Sequence, residues 1–352
     1  MMVIRLMVNI RDDGFSNRPS IADVARLAGV STATVSRCLN FPDRLRAETR
    51  DRVTQAVAEL GYTPNFGARA LASNRTNTIG AVIPTMDNAI FARGIQAVQE
   101  ELGLAGVTLL IASSNYDPVQ EAKEISVLMS RGADGLLLIG EARPDSSYEL
   151  LIKRRMPFVL AWTWRPDSPH VCVGFDNRGA ARELAERVVK TGHRRIAMIA
   201  GVTAWNDRAA ERVAGVRAAL DAAGVPLQPE RLIEAEYSID AGDAAFVSLM
   251  GRSPAPTAVM CGNDVLAAGA LRAARRLGLS VPRDVSITGF DNIDLAEAVH
   301  PSLTTMHVPH RRMGAAAARA LLALRDGLPL PGDLAFHTSI VSRSSLGAPP
   351  AE

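Results

Sequence analysis

Two sets of side chains in this sequence have types and spacings that suit chemistry. The first is the run Ser-Thr-Ala-Thr-Val-Ser-Arg-Cys-Leu-Asn, Ser31 to Asn40. Wound at about 100° per residue, it sends Val35, Cys38 and Leu39 to one side. Ala33, Ser36, Arg37 and Asn40 fall opposite, with Thr32 at the leading end. Short polar side chains and one arginine suit a helix lying in the major groove of DNA, its N-terminal residues at base edges. Arg37 can donate a fork of hydrogen bonds to guanine, and Thr32 and Ala33 can touch thymine methyls. The second set stands where short apolar runs end: Asp87, Asn88 and Phe91, then Trp162 and Trp164, then Tyr237, Asn263-Asp264 and Phe290-Asp291. Aromatic faces stack on the C–H bonds of a sugar, and Asp and Asn exchange hydrogen bonds with hydroxyls. Two blander readings stay open, an ordinary helical hairpin with a solvated face and aromatics that merely pack a core.

The elements that must position the first set are readable. Ser20 with Asp23 three residues on fits a capping box, and Ile21, Val24, Ala25 and Ala28 recur on one helical face. Gly29 supplies the turn, and Ser31 can cap the next helix. A third helix over residues 47–60 places Val53, Ala56, Val57 and Leu60 together, and Gly61-Tyr62-Thr63-Pro64 ends it. Residues 65–73 then hold an internal glycine, Gly67. A helix under about 12–15 residues is marginal in water, so this segment should be poorly helical alone. Residues 18–75 carry nine arginines against five acids, while the whole chain is only +2. The basic excess sits where phosphate neutralisation would need it.

These residues bring a resemblance into view. Asp23-Val24-Ala25, Ala28-Gly29-Val30-Ser31, Thr34-Val35-Ser36-Arg37, Leu60-Gly61-Tyr62-Thr63-Pro64-Asn65 and Ala70-Leu71-Ala72 resemble the lactose/galactose repressor (LacI/GalR) family of transcriptional regulators. The likeness covers about residues 19–345. It implies that Ser31, Thr32, Ala33, Thr34, Ser36, Arg37 and Asn40 meet DNA from a helix-turn-helix head. It also implies a hinge helix over Asn65–Ser73, where Asn65, Ala68 and Leu71 reach the minor groove and Leu71 acts as a wedge.

After Thr78, short apolar runs alternate with helical stretches. One group of strands lies at 79–84, 107–113, 135–139 and 158–161; a second lies at 171–175, 195–200, 233–237, 258–261 and 285–288. Repeated β-α units predict two doubly wound parallel-sheet lobes, with ligand beyond the carboxyl ends of the strands. The resemblance implies a likeness to periplasmic sugar-binding proteins, three chain crossings between lobes, and last segments that complete both. It nominates Arg212, Tyr237, Asn263 and Asp291 for the effector; the strand ends of the first lobe add Asp87, Asn88, Phe91 and Trp162. Arg212 could fork onto a carboxylate or phosphate, so the ligand class is a sugar, polyol or sugar acid. The family has about three more residues between Ala92 and Arg93, so the helix there is expected to start late. Asp176 reads as a helix cap and His193 as a satisfied turn histidine.

The predicted fold is therefore an N-terminal all-α head with a hinge helix, then a C-terminal α/β pair of lobes. The predicted domains are a disordered extension over 1–18, a head over 19–64, a hinge and linker over 65–77, an effector-binding and dimerisation domain over 78–346, and a tail over 347–352. The tail lacks leucine heptads, so a homodimer on a near-palindromic operator is expected. Cys38, Cys172 and Cys261 are far apart and show no metal spacing, which suits buried thiols in a cytoplasmic protein. No cofactor, membrane span or signal peptide is expected. A sugar-binding carrier with an accessory head is the alternative. An enzyme is disfavoured by the lack of G-x-G-x-x-G, P-loop, G-x-S-x-G and H-E-x-x-H motifs.

Overall fold

The computed structural model describes residues 19–40, 42–63, 75–87 and 89–351. The chain divides into two compact units, residues 1–76 and 77–352. In the first, α1 (Ile21–Ala28), α2 (Thr32–Asn40) and α3 (Ala47–Leu60) enclose Val24, Ala25, Ala28, Val35, Cys38, Val53 and Ala56. The expected capping box forms. The Ser20 N–H donates to Asp23 Oδ2 at 2.9 Å and the Asp23 N–H to Ser20 Oγ at 3.3 Å. Gly29 adopts φ 64°, a left-handed conformation that a Cβ would make costly. The expected hinge, with Asn65, Ala68 and Leu71, lies outside the described residues, as does Asn88.

The second unit holds two lobes. The first is built from β1 (Thr78–Ile83), α4 (Ala89–Leu104), β2 (Thr108–Ser113), α5 (Pro118–Ser130), β3 (Gly135–Ile139), α6 (Asp145–Lys153), β4 (Phe158–Ala161) and β5 (Cys172–Val173). Its sheet runs in the order β2-β1-β3-β4-β5, all parallel. β1 and β3 are wholly buried, which is why they read as unbroken apolar runs. Two expectations need correction here. The 171–175 run was grouped with the second lobe, yet it forms the edge of the first sheet. The Leu160 N–H donates to the Val171 carbonyl at 2.9 Å and the Trp162 N–H to that of Val173 at 3.0 Å. The nearest free strand edge takes this segment, a choice that periodicity does not encode. Nor does α4 start late; it begins at Ala89, ahead of the shortened stretch.

The second lobe comprises α7 (Asn177–Lys190), β6 (Ile196–Gly201), α8 (Asp207–Ala222), β7 (Leu232–Ala235), α9 (Ile239–Met250), β8 (Ala258–Cys261), α10 (Asp264–Arg276), β9 (Ser286–Asp291), α11 (Asp294–Ala298), β10 (Thr304–His307) and, after α12 (His310–Asp326), β11 (Ser339–Val341). Its order is β11-β10-β9-β8-β6-β7, with only β11 antiparallel. α12 packs back on α4, β3 and β4 of the first lobe. The chain thus crosses between lobes after β5, after β10 and before β11. Gly174 and Ala335 pair at the crossing, with the Phe336 N–H on the Gly174 carbonyl at 2.7 Å. Asp176 caps α7 by accepting from the Gly179 N–H at 2.9 Å. His193 is buried between Thr257, Ser286 and the Gly347 carbonyl, and desolvation lowers its pKa. All three cysteines are buried and free.

Candidate functional site

In the head, α2 starts because Ser31 Oγ accepts the Thr34 N–H at 3.1 Å. Its hydroxyl also bonds that of Thr34, at 2.9 Å. Val35 and Cys38 are buried, anchoring the apolar side. Ser31, Thr32, Ala33 and Arg37 are exposed, and Thr34 and Ser36 are half-buried. Asn40 closes α2, though its side chain lies outside the described set. The working face therefore consists of short side chains and an exposed Arg37, held by local bonds and a small core.

The second unit carries a hollow between its lobes, lined by Phe91, Trp162, Tyr116, Asn206, Arg208, Arg212, Tyr237, Asn263 and Asp291, with Ile90. Six of the eight sequence-derived effector residues meet there: Phe91, Trp162, Arg212, Tyr237, Asn263 and Asp291. Asp87 does not; its side chain is exposed, away from the lining. Tyr237 was expected to end a strand, but β7 stops at Ala235 and Tyr237 sits in the loop that follows. Trp164 packs into the first lobe's core instead. Tyr116, Asn206 and Arg208 were missed. They follow β2 and β6, so the strand-end rule applied to every strand would have found them.

Arg212 is the centre of this hollow. Its Nε donates to Asn177 Oδ1 at 2.9 Å and its Nη1 to the Gly262 carbonyl at 2.8 Å. Its guanidinium lies 3.9 Å from the Phe290 ring centroid, a cation–π contact. Its Nη2 is 3.5 Å from Asp291 Oδ1. Asp291 is 1% exposed, and Oδ1 has no hydrogen-bond partner. Burial raises the Asp291 pKa against the opposing charge of Arg212. A buried carboxylate oxygen without a hydrogen bond is costly, and this one borders the hollow. Asn263 Oδ1 caps α10 through the Leu266 N–H at 2.9 Å, which leaves its amide nitrogen as the free donor.

Trp162 seals the first-lobe side. It is 1% exposed, and its Nε1 donates to His310 Nδ1 at 3.0 Å. That bond fixes the proton of the neutral imidazole on Nε2, and burial pulls the His310 pKa down to about 3. Phe91 meets the indole edge-on at 5.8 Å. Behind Asp291, the buried Asp264 accepts the Ile293 N–H at 2.8 Å and the Thr305 hydroxyl at 2.6 Å. Burial and the neighbouring Asp291 raise its pKa to about 7.

The lobes are also latched beside the hollow. The Glu141 N–H donates to Asp207 Oδ2 at 2.9 Å, and Arg208 Nη1 donates to the Ile139 carbonyl at 3.1 Å. Gly140, at φ 73°, makes room, since a Cβ there would overlap Asp207 and Arg208. Among the described residues, eight non-glycines have positive φ, and four of them, Tyr116, Trp162, Trp205 and Asp291, line this hollow or the one beside it. The space open to a water's centre is about 10 Å³, room for about one water. A larger ligand must part the lobes or displace a ring. Among the described residues no trio of His, Cys, Asp or Glu is placed to hold a metal ion, and no helix is long and apolar enough to cross a membrane.

Comparison with known proteins returns the same two parts. Residues 20–65 match the family described as bacterial regulatory proteins, lacI family, and residues 185–346 match a periplasmic binding protein-like domain. The transcriptional regulator DegA of Bacillus subtilis (strain 168) is 36% identical over 85% of this chain and 89% of its own length. The solved CelR–cellobiose complex, a transcriptional regulator, is 31% identical with TM-score 0.69, covering 93% of this chain and 100% of that one. The lac repressor dimer bound to operator and anti-inducer has TM-score 0.83 at 26% identity, covering 94% of this chain and 100% of that one.

Proposed function

The chain belongs to the lacI family of bacterial regulatory proteins, and from that premise we propose a transcriptional repressor whose operator affinity is set by a small sugar-like effector. The observation that carries the reading is the closed cleft, where Arg212 and its ion-pair partner Asp291, whose Oδ1 accepts no hydrogen bond, face a space walled by aromatic rings. An aromatic wall with a few fixed polar groups is the chemistry of a sugar, polyol or sugar acid.

On the DNA side, Ser31, Thr32, Ala33, Thr34, Ser36, Arg37 and Asn40 read base edges and phosphates in the major groove. Asn65, Ala68 and Leu71 engage the minor groove, where Leu71 wedges a base step. Two copies on a two-fold axis select a near-palindromic operator. Exposed aliphatic side chains on edge strand β2 and its flanking helices (Leu104, Leu110, Ile111, Val119 and Val127) support self-association as a homodimer. The protein works in the cytoplasm, where its DNA is. The residues at 1–18 are an extension, 19–64 the head, 65–77 the hinge, 78–346 the effector unit and 347–352 the tail.

Effector binding changes the angle between the lobes, and so the separation at which two hinges begin. The test is a thermal-shift screen of sugars and sugar acids on the full chain, followed by operator titration with each hit. A specific ligand raises the melting temperature by mass action and shifts operator affinity. Ligands that stabilise the chain but leave operator affinity untouched would contradict control by the cleft and favour a carrier.

A further inference from the structure

We infer that the cleft has a second subsite, and that the effector is a two-ring sugar whose outer ring stacks on Trp205. The inference rests on the sugar reading above and extends it to the size of the ligand. A second hollow adjoins the first, lined by Pro84, Ser114 and Glu121 of the first lobe and by Trp205 of the second. Tyr116 and Arg208 line both hollows, so the two adjoin at this pair.

Trp205 is 51% exposed, and its φ is 55°. A bulky residue keeps such a conformation only where its surroundings enforce it. Here they do. Preceding it, Thr203 is tied twice to Glu234, through its N–H at 2.9 Å and its hydroxyl at 2.7 Å. Following it, Asn206 Nδ2 donates back to the Val202 carbonyl at 3.1 Å, while Asn206 Oδ1 accepts from the Ala209 N–H at 3.4 Å. The indole is therefore held out from the lobe by a pinned loop, at the rim of the outer hollow. No core contact explains it. Tyr116, with φ 61°, stands between the hollows, its ring 5.9 Å from that of Tyr237.

A single pyranose can stack on the inner wall of Phe91 and Trp162, or on the outer indole, but it cannot reach both past Tyr116. Two linked rings can, with the link passing Tyr116 and Arg208. A flat indole recognises the C–H face of a sugar ring, and Ser114 and Arg208 offer donors to its hydroxyls.

The experiment is calorimetry on the full-length chain with glucose, galactose and xylose against cellobiose, lactose, maltose and xylobiose. At least one disaccharide should bind about tenfold tighter than its monosaccharides, and W205A should collapse that ratio to about threefold or less. W205F, which keeps an aromatic face, should retain most of it. Binding of monosaccharides as tight as that of any disaccharide, or a ratio that survives W205A, overturns the subsite while the sugar reading stands. Binding of no member of either set overturns the sugar reading and the subsite with it.

Discussion

The head and the cleft solve opposite problems. On α2 the groups at Ser31, Thr32, Ala33 and Arg37 are exposed, and the helix start is supported by local bonds such as Ser31 to Thr34. In the cleft the working groups are buried, strained and supported by residues far away in sequence. Arg212 reaches Asn177, Gly262 and Asp291, and Trp162 reaches His310. The difference follows from the ligands. A groove-reading helix meets a large polyanion whose water and counterions leave on contact, so its donors must be free beforehand. A cleft must strip water from a small polar molecule and supply its hydrogen bonds. Its donors and acceptors therefore wait in a dry, over-determined frame. Substitutions should thus damage binding alone in the head, but binding and folding together in the cleft.

The largest effect should come from R212A. It leaves the buried Asp291 carboxylate without its cation, and breaking a buried pair costs about 3–5 kcal/mol. Urea unfolding should show the loss, and the response to effector should disappear. A fully stable R212A would place the polar centre of the cleft elsewhere. Next is R37A in the head. Losing a bidentate contact to a base costs about 1–3 kcal/mol of operator affinity, with the unfolding midpoint unmoved. Equal affinity for operator and scrambled sequence in both proteins would show that Arg37 does not read bases.

A smaller effect belongs to S31A, which removes a cap worth about 0.5–2 kcal/mol. Hydrogen exchange at the Thr34 and Val35 amides should quicken, while exchange in the lobes stays put. Different in kind is a pH drift set by Asp264, whose carboxyl titrates at about 7 when folded, above its ordinary 3.8. Between those values the folded chain holds a proton that the unfolded chain has released. Its contribution to stability is present below about pH 4 and is lost as pH rises through about 7. The melting temperature of D264N should therefore fall less than that of the natural chain as pH rises from 5 to 8. Parallel curves would mean that Asp264 is ionised throughout.

What was legible in the sequence follows the same divide. The head was readable because its causes are local: the Ser20–Asp23 box, Gly29, and the phase that buries Val35 and Cys38. The alternation of strands and helices was also readable, since continuous apolar runs such as Gly135–Ile139 belong to sheets covered on both faces. Which sheet takes a short strand was not readable. Cys172–Val173 is placed by an open edge beside β4, a fact of topology. The cleft was half readable. Arg212 came through the family likeness, Phe91 and Trp162 from positions after strand ends, and Tyr237, Asn263 and Asp291 from both. Tyr116 and Arg208 were missed because the strand-end rule was not applied after β2 and β6, whose following segments both line the hollow. His310 was missed for a different reason. It enters the site on the last return of the chain, 148 residues after the tryptophan it accepts from.

The central claim is that occupancy of the cleft governs the grip of the head on DNA. Fluorescence anisotropy of a labelled operator, titrated with the full-length chain at zero and saturating effector, measures it directly. The claim predicts that affinity changes by about 5- to 150-fold and that R212A abolishes the change. Superimposable titrations with and without an effector that demonstrably fills the cleft would contradict it.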